Sequence, residues 1–205
     1  MSVIPVNLAI EDELSEAALR RLLSHADRGY AVGVAHGHSG FGYLRSTIAG
    51  WNSAAKGMPF IVLTDLDEYP CPTALISDWL HVPRNPNLLL RVAVREIESW
   101  LLADRENHAR YLRISERWMP VDVEGLRDPK AALIDLARKS RSKEVKERIV
   151  PRRGSTAKQG PEYNACLSDF VQHHWNINAA RQCSRSLGRT VARLGAFRPV
   201  WVKRK

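Results

Sequence analysis

Cysteine is scarce in this chain: Cys71, Cys166 and Cys183 are the only three, with no paired spacing and no histidine pattern beside them. That argues against a zinc site and a disulfide framework and suits a reducing cytosol. Long apolar runs are missing, so no segment reads as crossing a bilayer. The stretch Met1 to Ala9 lacks a basic segment followed by an apolar core, so it does not read as an export signal. No Gly-Lys-Ser/Thr follows a glycine-rich stretch, which excludes a Walker-type phosphate loop. There is no internal repeat and no low-complexity tract. Acidic residues are in deficit, 22 against 31 Lys and Arg, which leaves a net charge of +9. A surplus of that size favours a polyanionic partner, most simply nucleic acid; a basic surface kept for solubility is the alternative, and charge alone does not separate the two. The 205 residues suffice for one sizeable domain with an extension.

What is present is organised around Phe60-Ile61-Val62-Leu63-Thr64-Asp65-Leu66-Asp67-Glu68. Phe60–Leu63 shows no polar alternation and reads as a strand buried on both faces, as in a parallel sheet. Three further strands are expected at Val3–Ile10, Tyr30–Ala35 and Leu88–Val94. Helices are expected between them at Glu13–Ala26, Tyr43–Ala55 and Thr73–Leu80, with Thr73 as N-cap. His36 to Gly42 reads as a flexible loop with three glycines, and His36 and His38 as exposed loop positions. Strand alternating with helix implies an α/β fold with a mostly parallel four-stranded sheet. Residues 1–104 would form that core. Residues 105–205 would form a helical, basic extension, with helices at Pro129–Lys139, Glu162–Val171 and Asn178–Leu194. The one further candidate strand is Pro199–Val202. Trp100 and the His173-His174-Trp175 run read as packing residues.

Two basic features stand out in the second half. Arg138 to Arg153 holds eight Lys or Arg against two Glu and ends in Arg152 and Arg153. Arg181, Arg185, Arg189 and Arg193 recur every fourth residue, which on one helix forms a single guanidinium stripe. Either could follow a nucleic-acid backbone; either could equally be a solvated helix face.

Carboxylates follow three of the expected strands: Glu11 after the first, Asp65 and Asp67 after the third, Glu96 and Glu98 after the fourth. In a parallel sheet these ends share one edge, where open α/β sheets place ligands. Asp65 and Asp67, two apart, would face the same side if extended. Like charges gathered there call for a cation: Arg95 in part, or a hard divalent metal such as Mg²⁺. Singly, each residue has an ordinary alternative, Glu11 as helix-dipole partner and Glu96 as ion-pair partner. Together they favour a metal site.

Ile10-Glu11, Glu16 in the next helix, Thr64-Asp65-Leu66-Asp67 and Val94-Arg95-Glu96-Ile97-Glu98-Ser99-Trp100-Leu101-Leu102-Ala103-Asp104 together resemble a Toprim domain. The likeness takes in Gly40 and Gly42, Asp128-Pro129-Lys130 and Gly160-Pro161 with Tyr163-Asn164. More narrowly the chain is similar to small stand-alone bacterial Toprim-like proteins, whose neighbours are often ATPases, resembling the split form of overcoming-lysogenization-defect nucleases. The resemblance implies a Toprim-like sheet and a Mg²⁺-dependent nuclease, with Mn²⁺ as substitute, in an ATPase-coupled bacterial defence system. It implies Glu11 as general acid/base, Asp65 and Asp67 as metal ligands, and Glu98 and Glu96 completing the metal shell. It also allows a homodimer. Toprim motifs usually place Gly after the first Glu; Asp12 and Glu13 stand there instead, so Glu11 and Glu13 both remain candidates. Two other functions stay open: a non-catalytic partner of an ATPase, and a phosphatase of haloacid-dehalogenase type built on Asp65-x-Asp67. The latter motif normally carries Thr or Val where Tyr69 sits.

Overall fold

The computed structural model describes residues 3–201. The fold is α/β, with four parallel strands flanked by helices. The strands are β1 (Ile4–Ile10), β2 (Tyr30–Gly37), β3 (Phe60–Asp65) and β4 (Leu88–Ala93). Their order in the sheet is β2-β1-β3-β4, and each neighbouring pair is parallel. Helices α1 (Glu13–His25), α2 (Gly40–Ala54) and α3 (Pro72–Trp79) connect them. Two compact units are formed. One runs to Val94 and takes in the chain again from Arg189; the other is Arg95–Gly188.

In the first unit β1, β3 and β4 are largely buried on both faces, as their apolar sequences require, while the edge strand β2 is partly exposed. Ala9, Phe60, Val62, Leu88, Leu90 and Val92 share one face and pack with Leu44, Ile48 and Trp51 of α2 and Leu75 and Trp79 of α3. The alternate positions Leu8, Ile10, Ile61, Leu63 and Leu89 are buried as well. Long-range bonds tie the last part of the chain to this sheet. Tyr30 Oη donates to the Leu194 carbonyl at 2.6 Å, and an Arg28 guanidinium nitrogen donates to that of Phe197 at 2.7 Å. Residues 199–201 form no strand, and Val202 lies outside the described residues.

Three local expectations are corrected. The glycine loop is shorter than it reads, because β2 continues through His36 and Gly37 and α2 starts at Gly40. Gly37 is required there: its φ is +144°, and a Cβ would stand 1.8 Å from the Ile10 carbonyl oxygen. Cys71, not Thr73, caps α3; its sulfur accepts from Ala74 N at 3.4 Å, and Pro72 opens the helix with the φ it already favours. The expected helix 178–194 is two helices, α9 (Ile177–Cys183) and α10 (Arg185–Ala196).

The second unit is helical. Besides α9 and the start of α10 it holds α4 (Ile97–Leu102), α5 (Arg105–Tyr111), α6 (Pro129–Arg138), α7 (Lys143–Ile149) and α8 (Tyr163–His173). Trp100 is a core residue, fully buried, and its indole nitrogen donates to Ser186 Oγ at 2.7 Å. Among the described residues no helix is long and apolar enough to cross a membrane.

Candidate active site

Sheet order 2-1-3-4 puts the topological switch between β1 and β3. The chain leaves β1 toward β2 on one side, then crosses back to β3 on the other. Crevices at such points, outside the carboxyl ends of the strands, are where open α/β sheets bind ligands. Glu11 follows β1 and Asp65 ends β3. The side chain of Glu11 is held by β3: its Oε1 accepts from the Thr64 hydroxyl and from Asp65 N, the latter at 2.8 Å. Burial pushes the Glu11 carboxyl up to about 6 against those two hydrogen bonds, and the charges of Asp67 and Asp12 push the same way.

Asp12, next to Glu11, serves as N-cap of α1; its Oδ1 accepts from Ser15 N at 2.8 Å. Glu13 points out from the first turn of α1 and is exposed. Of the two candidates, it is therefore Glu11 that engages the end of β3. The glycine turn closes on the same rim, with Gly40 N donating to the Glu11 carbonyl at 3.1 Å and His38 Nε2 2.8 Å from Glu16.

Asp67 does not share a face with Asp65 by strand alternation, which is a correction. β3 ends at Asp65, Leu66 N still pairs with the Ala93 carbonyl at 2.9 Å, and the chain then turns, with Tyr69 N bonding back to Leu66 O. Asp67 sits in that turn with φ +47°, in the left-handed region. Among the described residues of this unit, His38, with φ +63°, is the other non-glycine residue held there. Both lie in loops at the carboxyl rim of the sheet, where such backbone strain often accompanies a site.

Glu96 and Glu98 belong to the second unit and form their own cluster. Glu98 is 2% exposed; the Tyr163 hydroxyl donates to its Oε1 at 2.9 Å, and Lys130 Nζ lies 3.6 Å away. Glu96 accepts from Lys130 N at 2.9 Å, which also serves the first turn of α6. Burial and then the Glu98 charge push the Glu96 carboxyl up to about 7. The Tyr163 hydroxyl is pushed far upward by burial and by Glu98, so it remains a donor. Thr64, Lys130 and Tyr163 were not singled out as site residues. The available signals were a lone hydroxyl at the end of an apolar strand and two short polar motifs far from the acids in sequence.

The basic features divide. Arg181 and Arg185 lie on different helices, so the four-residue stripe is not one helical face. Arg185, Arg189 and Arg193 do follow each other along α10, and all are exposed. The break is at Ser184, which ends α9 and caps α10: its Oγ accepts from Leu187 N and donates to Glu124 Oε1 at 2.7 Å. Three of the eight basic residues from Arg138 to Arg153 are ion-paired, Arg138 with Asp135, Lys143 with Glu147, and Arg148 with Glu144 and Glu162. Arg152 and Arg153 are exposed. Arg152 lines an open depression of about 990 Å³ whose walls include Glu144, Glu147 and Glu162, so its charge is mixed.

As the side chains stand, no group of three or more His, Cys, Asp and Glu among the described residues is placed to hold a metal ion. The side chains at the β1–β3 rim carry the donor type Mg²⁺ takes: Glu11, Asp65 and Asp67 all offer carboxylate oxygens, and the charge of Asp67 opposes ionisation of Glu11. Compared with family models, curated proteins and solved structures, the chain matches none.

Proposed function

We propose that this protein is a Mg²⁺-dependent nuclease of Toprim type that hydrolyses phosphodiester bonds in DNA or RNA. One observation carries the reading: a half-buried glutamate at the end of β1 is held by the end of β3, at the switch point of a parallel sheet, within electrostatic reach of Asp67. The all-parallel sheet is consistent with a Toprim-like fold. Asp65 and Asp67 hold the metal, which supplies positive charge for the phosphoryl oxygens. Glu11, oriented by Thr64 and Asp65 N, takes the proton of the attacking water. The water oxygen bonds to phosphorus, and the bond from phosphorus to the leaving sugar oxygen breaks. The elevated pKa of Glu11 suits a group that accepts this proton and returns it to the leaving oxygen. The charge of +9 favours the polyanionic substrate. The reading places the protein in the cytosol, acting with an ATPase partner.

The test is nicking of supercoiled plasmid with Mg²⁺ or Mn²⁺. Asp65→Ala/Asp67→Ala should lose about a hundredfold or more of the rate. Equal nicking by variant and wild type would reject the reading. Absence of nicking by either protein, with stable co-purification of an ATPase, would leave the chain a non-catalytic partner.

A further inference from the structure

Arg91 is the one charged residue of β4, the strand at one edge of the sheet. It lies on the face opposite Leu90 and Val92, is half-buried, and its Nε donates to Thr190 Oγ1 at 3.2 Å. The neighbouring charges that act on it are all cationic. Burial first, then Arg84, Arg193 and Arg189, depress its guanidinium to about 10. Arg189 immediately precedes Thr190 on α10 and Arg193 follows one turn after Arg189; both are exposed, and the charge of each acts on Arg91. Among the described residues no carboxylate forms an ion pair with any of the four. Four guanidinium groups gathered without a counter-charge repel one another, and an anion relieves that repulsion.

An exposed aromatic residue follows a segment that is bonded to the residue preceding β4. Asn87 lies between Arg84 and Arg91 in the chain and is buried. Its amide grips Val200 twice: Val200 N donates to Oδ1 at 2.7 Å, and Nδ2 donates to the Val200 carbonyl at 2.9 Å. The next residue, Trp201, is left 53% exposed. Guanidinium groups with an open indole are what single-stranded nucleic acid uses, phosphates on the cations and a base on the ring. In a duplex the base faces are stacked on each other and do not meet an indole.

We propose that this edge of the sheet binds a single-stranded nucleic-acid segment, with Arg84, Arg91, Arg189 and Arg193 holding backbone phosphates and Trp201 stacking on a base. The proposal rests on the nucleic-acid part of the proposed function and not on hydrolysis. Its test is therefore run in EDTA, by fluorescence anisotropy of a labelled oligonucleotide of about a dozen nucleotides, a length that spans an ordinary single-strand site. Arg189→Ala/Arg193→Ala changes two exposed side chains. It should weaken binding and flatten the log–log salt dependence by about 1.4, about 0.7 for each lost phosphate contact. Trp201→Ala should weaken single-strand binding about tenfold and leave duplex binding unchanged. Unchanged affinity and salt slope in the double variant would overturn the proposal. So would equal losses for single strand and duplex on Trp201→Ala, or saturation by inorganic phosphate without oligonucleotide binding. Plasmid nicking by Asp65→Ala/Asp67→Ala reports on hydrolysis alone, so the two readings fail separately.

Discussion

At the scale of single residues, burial decides which ionisable groups are out of the ordinary. His108 is fully buried against Phe170, with Nδ1 on the Leu101 carbonyl at 3.0 Å and Nε2 without a hydrogen-bond partner among the described residues. Burial lowers its pKa to about 4. The unfolded chain takes up a proton near the ordinary value of about 6.5, the folded protein only near 4. Stability from this group is thus complete above pH 6.5 and lost as pH falls toward 4, by roughly 3 kcal/mol at most. Urea unfolding across that window should show a slope that His108→Leu removes; the same slope in both proteins would contradict the assignment. Glu11, Asp65 and Asp67 were legible in the sequence because they end apolar runs. Their partners were not. Thr64 reaches Glu11, and Tyr163 reaches Glu98, only once distant segments meet, and no local pattern encodes that.

At the scale of elements, apolar runs located all four strands, and the strand–helix alternation implied their parallel sense. Boundaries failed where a side chain takes over a backbone group. Cys71 and Pro72 start α3 before Thr73. Ser184 divides what fourfold arginine spacing presents as one helix. Arginine favours a helix at every one of those positions, so only the serine carries the signal, and its meaning depends on Glu124, which also accepts from Ser186 N at 2.6 Å. Ser184→Ala removes the cap of α10 and a donor to Glu124 together. It should cost about 1–2 kcal/mol in urea unfolding. A loss under about 0.5 kcal/mol, the range of an ordinary surface change, would mean the break does not depend on the cap.

At the scale of the whole chain, the positive charge divides between the two units. In the helical unit three of the eight basic residues of the 138–153 run, Arg138, Lys143 and Arg148, are ion-paired, while in the sheet unit Arg84, Arg193 and Arg189 all act on Arg91. The return of the chain from Arg189 to the sheet could not be read in advance, since it depends on single long-range bonds to Arg28, Tyr30 and Asn87. The functional reading itself rests on the rim between β1 and β3 holding a hard divalent ion. Titration of Mn²⁺ into the purified protein, followed by calorimetry, measures that directly. Binding to the wild type that disappears in Asp65→Asn/Asp67→Asn is the predicted result; the same binding isotherm in both proteins, or none in the wild type, would contradict it.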